Sequence, residues 1–497
     1  MSIAKKVAQN TISQILGKFL STAIGLLSLA IITRYLGTEG FGKYTTIITY
    51  LSFFAVFADF GLTLITVQLI SDKKRDEKKI LNNLFAFRFV SILVLLLIAP
   101  LVSYAFPYES DIRLGMLIAL FSFVFPALNQ IIVGLLQKKL SMEKDAISEN
   151  IGRISLLLGV VLVKKFNFGL NGILFVTSLS AGFNFLSHYL FSLKYAVIKF
   201  EWDFSLWKSI IKKSWPLALT IVLNLIYLKA DTLILSIFKS DNEVGLYGAT
   251  YKIIDVLTTI PYMFAGIILP IITTAWLEKN KEYFKKVLQK SYDFMFISFV
   301  PLVIGTQFVA KELMVLIAGN EFELSGSILK ILIISLAAIF IGTIFSHAVI
   351  ALDRQKKMIG FYIFTSISSL VAYLYFVPRF SYYGAAAVTI YSEILIASFS
   401  AYCVIKYSNF RLKWKISLKS ILAGLIMGGF LFISNYFHIS FLNKNTIFGL
   451  LLLMLLSGIV YFLMLYLLGA ISKKDIEMIS KKQKSSGAQT YGQGQRL

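Results

Sequence analysis

The chain has 497 residues, 57% hydrophobic and 15% charged, with 49 Lys and Arg against 26 Asp and Glu and a formal net charge of +23. An ordinary soluble domain carries about 25% charged residues, so this composition excludes a water-soluble globular protein. A single cysteine, Cys403, excludes an intramolecular disulfide framework.

Apolar stretches of roughly 17 to 25 residues, each able to cross a ~30 Å hydrocarbon layer at about 1.5 Å per residue, recur fourteen times along the sequence. The first, 13–33, follows Lys5 and Lys6; it is too long for a signal peptide, and no small-residue cleavage site follows it. The others are predicted at 43–70, 81–104, 112–136, 147–163, 170–193, 214–238, 245–275, 291–310, 326–351, 359–377, 383–405, 419–436 and 446–470. The expected fold is all-α, a polytopic membrane protein of fourteen helices.

Positively charged connections resist translocation. Taken alternately, one set of connections and termini holds 33 Lys and Arg and the other holds 8. Both termini are therefore predicted cytoplasmic. Topology accounts for most of the charge, and no nucleic-acid partner is expected. The 43 Phe and 25 Tyr suit interface belts and lipid-facing packing.

Halfway along, 201–213 reads as an amphipathic cytoplasmic linker, with Phe204, Trp207, Ile210 and Ile211 toward the lipid boundary and Lys208, Lys212 and Lys213 toward headgroups. The tail, 471–497, is polar, basic and then rich in Gly, Gln and Ser, which predicts disorder over much of it. A shift of 203 positions aligns Phe41-Gly42-Lys43-Tyr44 with Val244-Gly245-Leu246-Tyr247, each opening a helix on the predicted outer face. The interval contains six helices, an even number, so the halves share one orientation. This divides the chain into lobes at 1–200 and 214–405, two further helices in 406–470, and a cavity between the lobes that can open to alternating sides.

These features resemble a known family. Arg34-Tyr35-Leu36-Gly37-Thr38-Glu39-Gly40-Phe41-Gly42-Lys43-Tyr44, then Asp59-Phe60-Gly61-Leu62, and Asp231 before Val244-Gly245-Leu246-Tyr247, are similar to the polysaccharide flippases of bacterial surface-glycan export. That superfamily also includes the multidrug and toxin extruders and the lipid II flippase. The resemblance implies a carrier in the bacterial cytoplasmic membrane that moves an undecaprenyl-pyrophosphate-linked oligosaccharide from the inner to the outer leaflet. It also implies a monomer among membrane lipids, with polysaccharide polymerase and export proteins as partners.

An ionisable side chain at membrane depth needs a partner, a wet cavity or an escape to the interface. In the first helix Asn10, Gln14, Lys18, Ser21, Gly25 and Ser28 form one polar row. The seventh helix has Thr220, Asn224, Tyr227 and Asp231, and the eighth has Tyr251, Asp255, Thr258 and Tyr262. These rows are expected to face each other across the cavity; packing between helices is the alternative. Lys18, Arg88, Arg153 and Lys229 are the candidates to attract a pyrophosphate. Snorkelling explains the first three equally well, and Glu149, four residues before Arg153, can neutralise it.

Asp59, Asp231, Asp255 and Glu393 are candidates for coupling to a Na+ or H+ gradient. Their alternative is charge pairing, Lys252 with Asp255 and Lys229 with Asp231, while Glu393 has no obvious partner in its own helix. His188, His347 and His438 lack metal-ligand spacing, and no GxxxxGK loop or nucleophile elbow occurs, so no metal, nucleotide or other cofactor is expected. A membrane glycan polymerase or ligase would need a substantial outer loop, and every predicted outer connection is short. A multidrug extruder should prefer amphipathic cations and a negative cavity. The lipid II flippase carries the same lipid pyrophosphate and differs here only in the first motif and the Asp59 segment.

Overall fold

The computed structural model describes residues 3–71, 76–437, 444 and 446–471. The side chains of Asn10 and Lys213, together with His438 and the tail beyond Ile471, lie outside the described residues. Among those described there is no strand. The helices are α1 (Ile3–Asp59), α2 (Leu62–Ile70), α3 (Glu77–Val102), α4 (Ser110–Ala119), α5 (Phe121–Lys138), α6 (Met142–Phe166) and α7 (Gly169–Ser192). The second half contains α8 (Phe204–Phe238), α9 (Asp241–Leu277), α10 (Lys281–Ala318), α11 (Ser325–Ala351), α12 (Gln355–Ser408), α13 (Lys415–Tyr436) and α14 (Ile447–Leu467).

Twelve stretches are long and apolar enough to cross a membrane. Two of them double back, which gives the fourteen predicted passes among the described residues. In α1 the reversal is at Gly37, whose φ of 65° and ψ of −174° suit a residue without a Cβ. The first arm runs beside α6, with Lys18 at Glu149 and the Tyr35 hydroxyl 3.0 Å from Asn167. The second arm returns along α3, the Tyr50 hydroxyl donating to the Ala99 carbonyl and Asp59 meeting Arg88. In α12 the reversal is at Ser381. Phe361 stacks on Phe399 at 4.3 Å, and the Tyr373 and Thr389 hydroxyls lie 3.2 Å apart.

Alternation of passes gathers the basic connections on one face. There Glu77 bridges Lys138 and Lys139, and Lys79 lies 2.8 Å from Asp203, whose carboxyl it holds below the usual carboxylate range. This is the basic face; the opposite one carries Gly37.

Two apolar cores form, and the one centred in the second half reaches back to Ile32, Phe41 and Val160 of the first. One surrounds Leu51, Leu81, Ile131 and Leu135 in the first half, and the other surrounds Tyr247, Phe284, Phe340 and Tyr461 in the second. Helices α13 and α14 lie on α10: Gly424 leaves room for Val300 and Ile304, and the Tyr461 hydroxyl donates to the Ile297 carbonyl at 2.9 Å.

The linker differs from its sequence reading. Residues 204–213 are the first turns of α8, capped by the Asp203 side chain, which accepts from the Leu206 amide. Phe204 and Ile211 are exposed, whereas Trp207 and Ile210 are buried in the first core, Trp207 5.2 Å from Phe87. An amphipathic pattern identifies an apolar stripe without saying whether lipid or protein covers it.

On the Gly37 face the lobes meet backbone to backbone. A Cβ on Gly42 would run into the Asp241 carbonyl, and one on Gly245 into the Thr38 carbonyl. The repeated glycines therefore let the second arm of α1 and the start of α9 cross at contact distance. Arg34 completes the closure by donating to the Val315, Leu316 and Ile317 carbonyls at 3.2, 2.6 and 2.8 Å. These belong to the last turn of α10, where carbonyls lack partners within the helix and the helix dipole favours a cation.

Candidate substrate-binding cavity

Behind that closure lies a cavity of about 300 Å³ between the two halves of the chain, its charged and hydroxyl side chains set among Leu26, Leu29, Ile32 and Leu156. The first arm of α1 supplies Lys18, Ser21, Thr22, Gly25 and Ser28; the second arm adds Tyr44, α6 adds Arg153, and α9 adds Lys252, Asp255, Val256 and Thr259. The predicted row on the first helix therefore faces the cavity from Lys18 to Ser28. Gln14 is not in the lining. A Cβ on Gly25 would lie 3.6 Å from the Arg153 guanidinium, so that glycine leaves the arginine its space.

Positive charge is only partly compensated here. Glu149 serves two cations through one oxygen, which lies 2.9 Å from the Lys18 ammonium and 4.0 Å from Arg153, and Ser21 donates to the same atom. Asp255 is held by Lys229 at 3.2 Å, and that ammonium also lies 4.1 Å over the Tyr251 ring. Lys252 has no ion-pair partner among the described residues. In and beside the cavity, Lys18, Arg153, Lys229 and Lys252 thus face two carboxylates, Glu149 and Asp255. Both predicted pairings in this region change: Lys229 takes Asp255 instead of Asp231, which leaves Lys252 unpaired.

The eighth-helix row is corrected by one position. Lys252, Asp255, Val256 and Thr259 face the cavity, while Tyr251 is buried and donates its hydroxyl to the Leu228 carbonyl. Both rows contain Asp255, and the sequence could not choose between them. Lys252 is a cavity residue that the sequence reading used only as a partner for Asp255. Its position three residues before that carboxylate was the available signal.

The seventh-helix row turns into the second lobe instead of the cavity. Tyr227 is buried, its carbonyl accepting from the Tyr373 hydroxyl, and the buried Asn224 Oδ1 has no hydrogen-bond donor among the described residues. Asp231 is fully buried. It accepts from the Tyr247 hydroxyl at 2.6 Å, the Thr389 hydroxyl at 3.2 Å, and the amide and hydroxyl of Thr232. No ammonium or guanidinium among the described residues lies within ion-pair distance of it. Glu393, on the second arm of α12, is buried without a hydrogen-bond or ion-pair partner among the described residues.

Arg88 and Asp59 also leave the predicted site. Arg88 is 4% exposed inside the first lobe, 2.6 Å from Asp59, and donates to the Ala58 and Ala127 carbonyls. Thr63 donates to the same Asp59 oxygen. This is an internal pair that joins α1, α3 and α5 and does not touch the cavity. His188 meets Asp145 at 3.0 Å and the Asn184 carbonyl, and His347 meets the Thr343 carbonyl.

A largely apolar groove of about 420 Å³ continues from the cavity, sharing Leu26 and Val256 with it. It runs between α9, α10, α13 and α14 past Leu257, Leu302, Met427, Leu431 and Phe462.

Over 204 residues the chain is 22% identical to the probable low-salt glycan biosynthesis flippase Agl15 of Haloferax volcanii, a match covering 40% of this chain and 43% of that protein. The chain thus spans less than half the length of this curated relative. A lipid II flippase MurJ in an inward closed conformation superposes with a TM-score of 0.75 at 18% identity, over 91% of this chain and 98% of MurJ. A multidrug resistance MATE family transporter, inward-facing, superposes with a TM-score of 0.59 at 15% identity, over 85% and 99% of the two chains. At these identities the solved structures establish the shared fold. The sequence profile of the family described as polysaccharide biosynthesis protein matches residues 7–276, more than half of the chain, and the chain belongs to that family.

Proposed function

We propose that this protein is a flippase that moves an undecaprenyl-pyrophosphate-linked glycan repeat unit from the inner to the outer leaflet of the bacterial cytoplasmic membrane by alternating access, for surface polysaccharide synthesis. The observation that carries this reading is the excess of cations over carboxylates in and beside the cavity between the two halves of the chain. Arg153 offers a planar donor fork to a pyrophosphate, and Lys18 and Lys252 offer point charges. The adjoining apolar groove suits a polyprenyl tail, so headgroup and tail need not share one environment. In this reading the basic face is cytoplasmic and the Gly37 face is outward. A cavity of about 300 Å³ accepts the charged part of such a substrate, and the sugars require further separation of the lobes.

The expected result of K18Q/R153Q/K252Q is loss of glycan export by at least about a hundredfold, as three charge-assisted contacts are removed. Protein level in the membrane should stay within about twofold of wild type. Wild-type export by this triple variant sinks the proposal. Lipid II as the substrate would appear as rescue of a strain lacking the lipid II flippase, and an amphipathic cation as resistance to such compounds.

For the energy source, the reading with most support is an ion at a buried carboxylate of the second lobe. Asp231 has hydroxyl and amide donors but no cation beside it, and Glu393 has no partner among the described residues. Flux in vesicles should rise at least about fivefold under an imposed Na+ or H+ gradient, and Asp231→Asn or Glu393→Gln should remove the response. Flux independent of both gradients ends the case for coupling.

A further inference from the structure

Away from the transport cavity, a cleft of about 560 Å³ opens on the basic face. One wall is the start of α10, with Glu282, Lys285, Lys286, Gln289 and Lys290; the other is the connection from α12 to α13, with Phe410, Arg411 and Lys413. Gln289 clasps the walls together. Its side-chain amide donates to the Lys413 carbonyl at 3.0 Å, and its oxygen accepts from the Lys413 amide at 3.0 Å. Phe410 is 2% exposed and seats the connection against Phe345.

Five cations, three from the start of α10 and two from the α12–α13 connection, meet at this cleft. Glu282 is the lone carboxylate in the lining and lies 3.6 Å from Lys285. Lys286, Lys290, Arg411 and Lys413 have no ion-pair partner among the described residues. A charge bias between membrane faces places basic residues on one side but does not require them to converge on one concavity. The surroundings set the depth: exposed Trp414 adjoins the cleft, and Leu418, Leu422 and Leu425 of α13 are exposed in the turns that follow. Trp at this position marks the headgroup level, and the leucines mark a surface for acyl chains.

We infer that this cleft binds the phosphodiester headgroup of an anionic phospholipid, with the acyl chains lying along α13. Arg411 and the lysines donate to the phosphate oxygens, and the attraction falls on the headgroup charge and not on the chains. A zwitterionic lipid offers the same phosphate with a compensating ammonium, which these cations repel.

The test uses the full-length purified protein, titrated with phosphatidylglycerol or phosphatidylcholine while bound lipid is counted by native mass spectrometry. Phosphatidylglycerol should bind more tightly, and K286Q/R411Q should weaken it by about tenfold or more, since two surface charges are lost. K286R/R411K should retain binding. K356Q/K357Q removes two exposed charges from another connection on the same face and should change binding by less than about twofold. Unchanged phosphatidylglycerol binding in K286Q/R411Q overturns the assignment. Equal loss in the two glutamine variants reduces the effect to diffuse charge and also overturns it. If glycerophosphate binds as tightly as the lipid, the cleft is a site for soluble phosphate esters and the lipid assignment fails.

Discussion

Gly245→Val is expected to leave a protein that inserts at normal levels but cannot close its Gly37 face, so that export stops and the cavity becomes reachable from that side. The reason is local. Gly245 faces the Thr38 carbonyl and the Gly42 amide with no room for a Cβ, and the obstacle is backbone, which has no rotamer to yield. Overpacking a tight contact costs about 1–3 kcal/mol, which shifts a two-state equilibrium by about 5- to 150-fold. Arg34, clasping the end of α10 beside this crossing, would have to stretch its three carbonyl contacts to accommodate the new side chain. The measurement is labelling of Ser28→Cys, a buried position in the cavity lining, by an impermeant maleimide added to spheroplasts after Cys403→Ser removes the native thiol. Labelling should rise at least about fivefold. Gly266→Val is the control, because a Cβ there meets nothing within 4 Å on the same helix. Equal labelling in the two variants would mean that the glycine crossing does not hold the lobes shut.

Arg88→Gln is expected to fail in another way, through loss of folded protein. It leaves the Asp59 carboxylate, buried at 7% exposure, facing Thr63 and a shortened neutral side chain. Breaking a buried pair by removing one partner costs about 3–5 kcal/mol, a large fraction of the roughly 5–15 kcal/mol that holds an ordinary domain folded. Membrane levels should fall several-fold, and the thermal transition in detergent should drop. R88Q/D59N, which removes both charges, should recover a substantial part of the loss. Export should track the amount of protein. Normal protein level with export abolished would return Arg88 to the substrate path.

The contrast between Arg88 and Arg153 shows what the sequence could tell and what it could not. Both are arginines a few residues inside a helix end, where attraction of a pyrophosphate and snorkelling fit each, and only Arg153 has a carboxylate, Glu149, at a pairing distance along its own helix. Only the fold brings Asp59 beneath Arg88 while leaving Arg153 to share Glu149 with Lys18 and face open space. Span number, repeat and first-helix row were legible because hydropathy runs and three-to-four spacings are local signals. The rotation of α9 was not legible, since adjacent rows differ by about 100° and both include Asp255. Nor was the direction of the α8 row: Asp231 satisfies itself within the second lobe through Tyr247 and Thr389, residues 16 and 158 positions away. The duplicated glycines were visible as a repeat, but their purpose emerges only when the two copies touch.

The reversal at Ser381 bears on how the molecule is made. With one non-helical residue between its arms, α12 turns back on itself without an intervening loop. Phe361 has Phe399 as a neighbour, and the Tyr373 and Thr389 hydroxyls lie together, contacts that need no helix besides α12 itself. The second arm therefore finds its partners in the first as soon as both are made, and the two can enter the bilayer together as a hairpin.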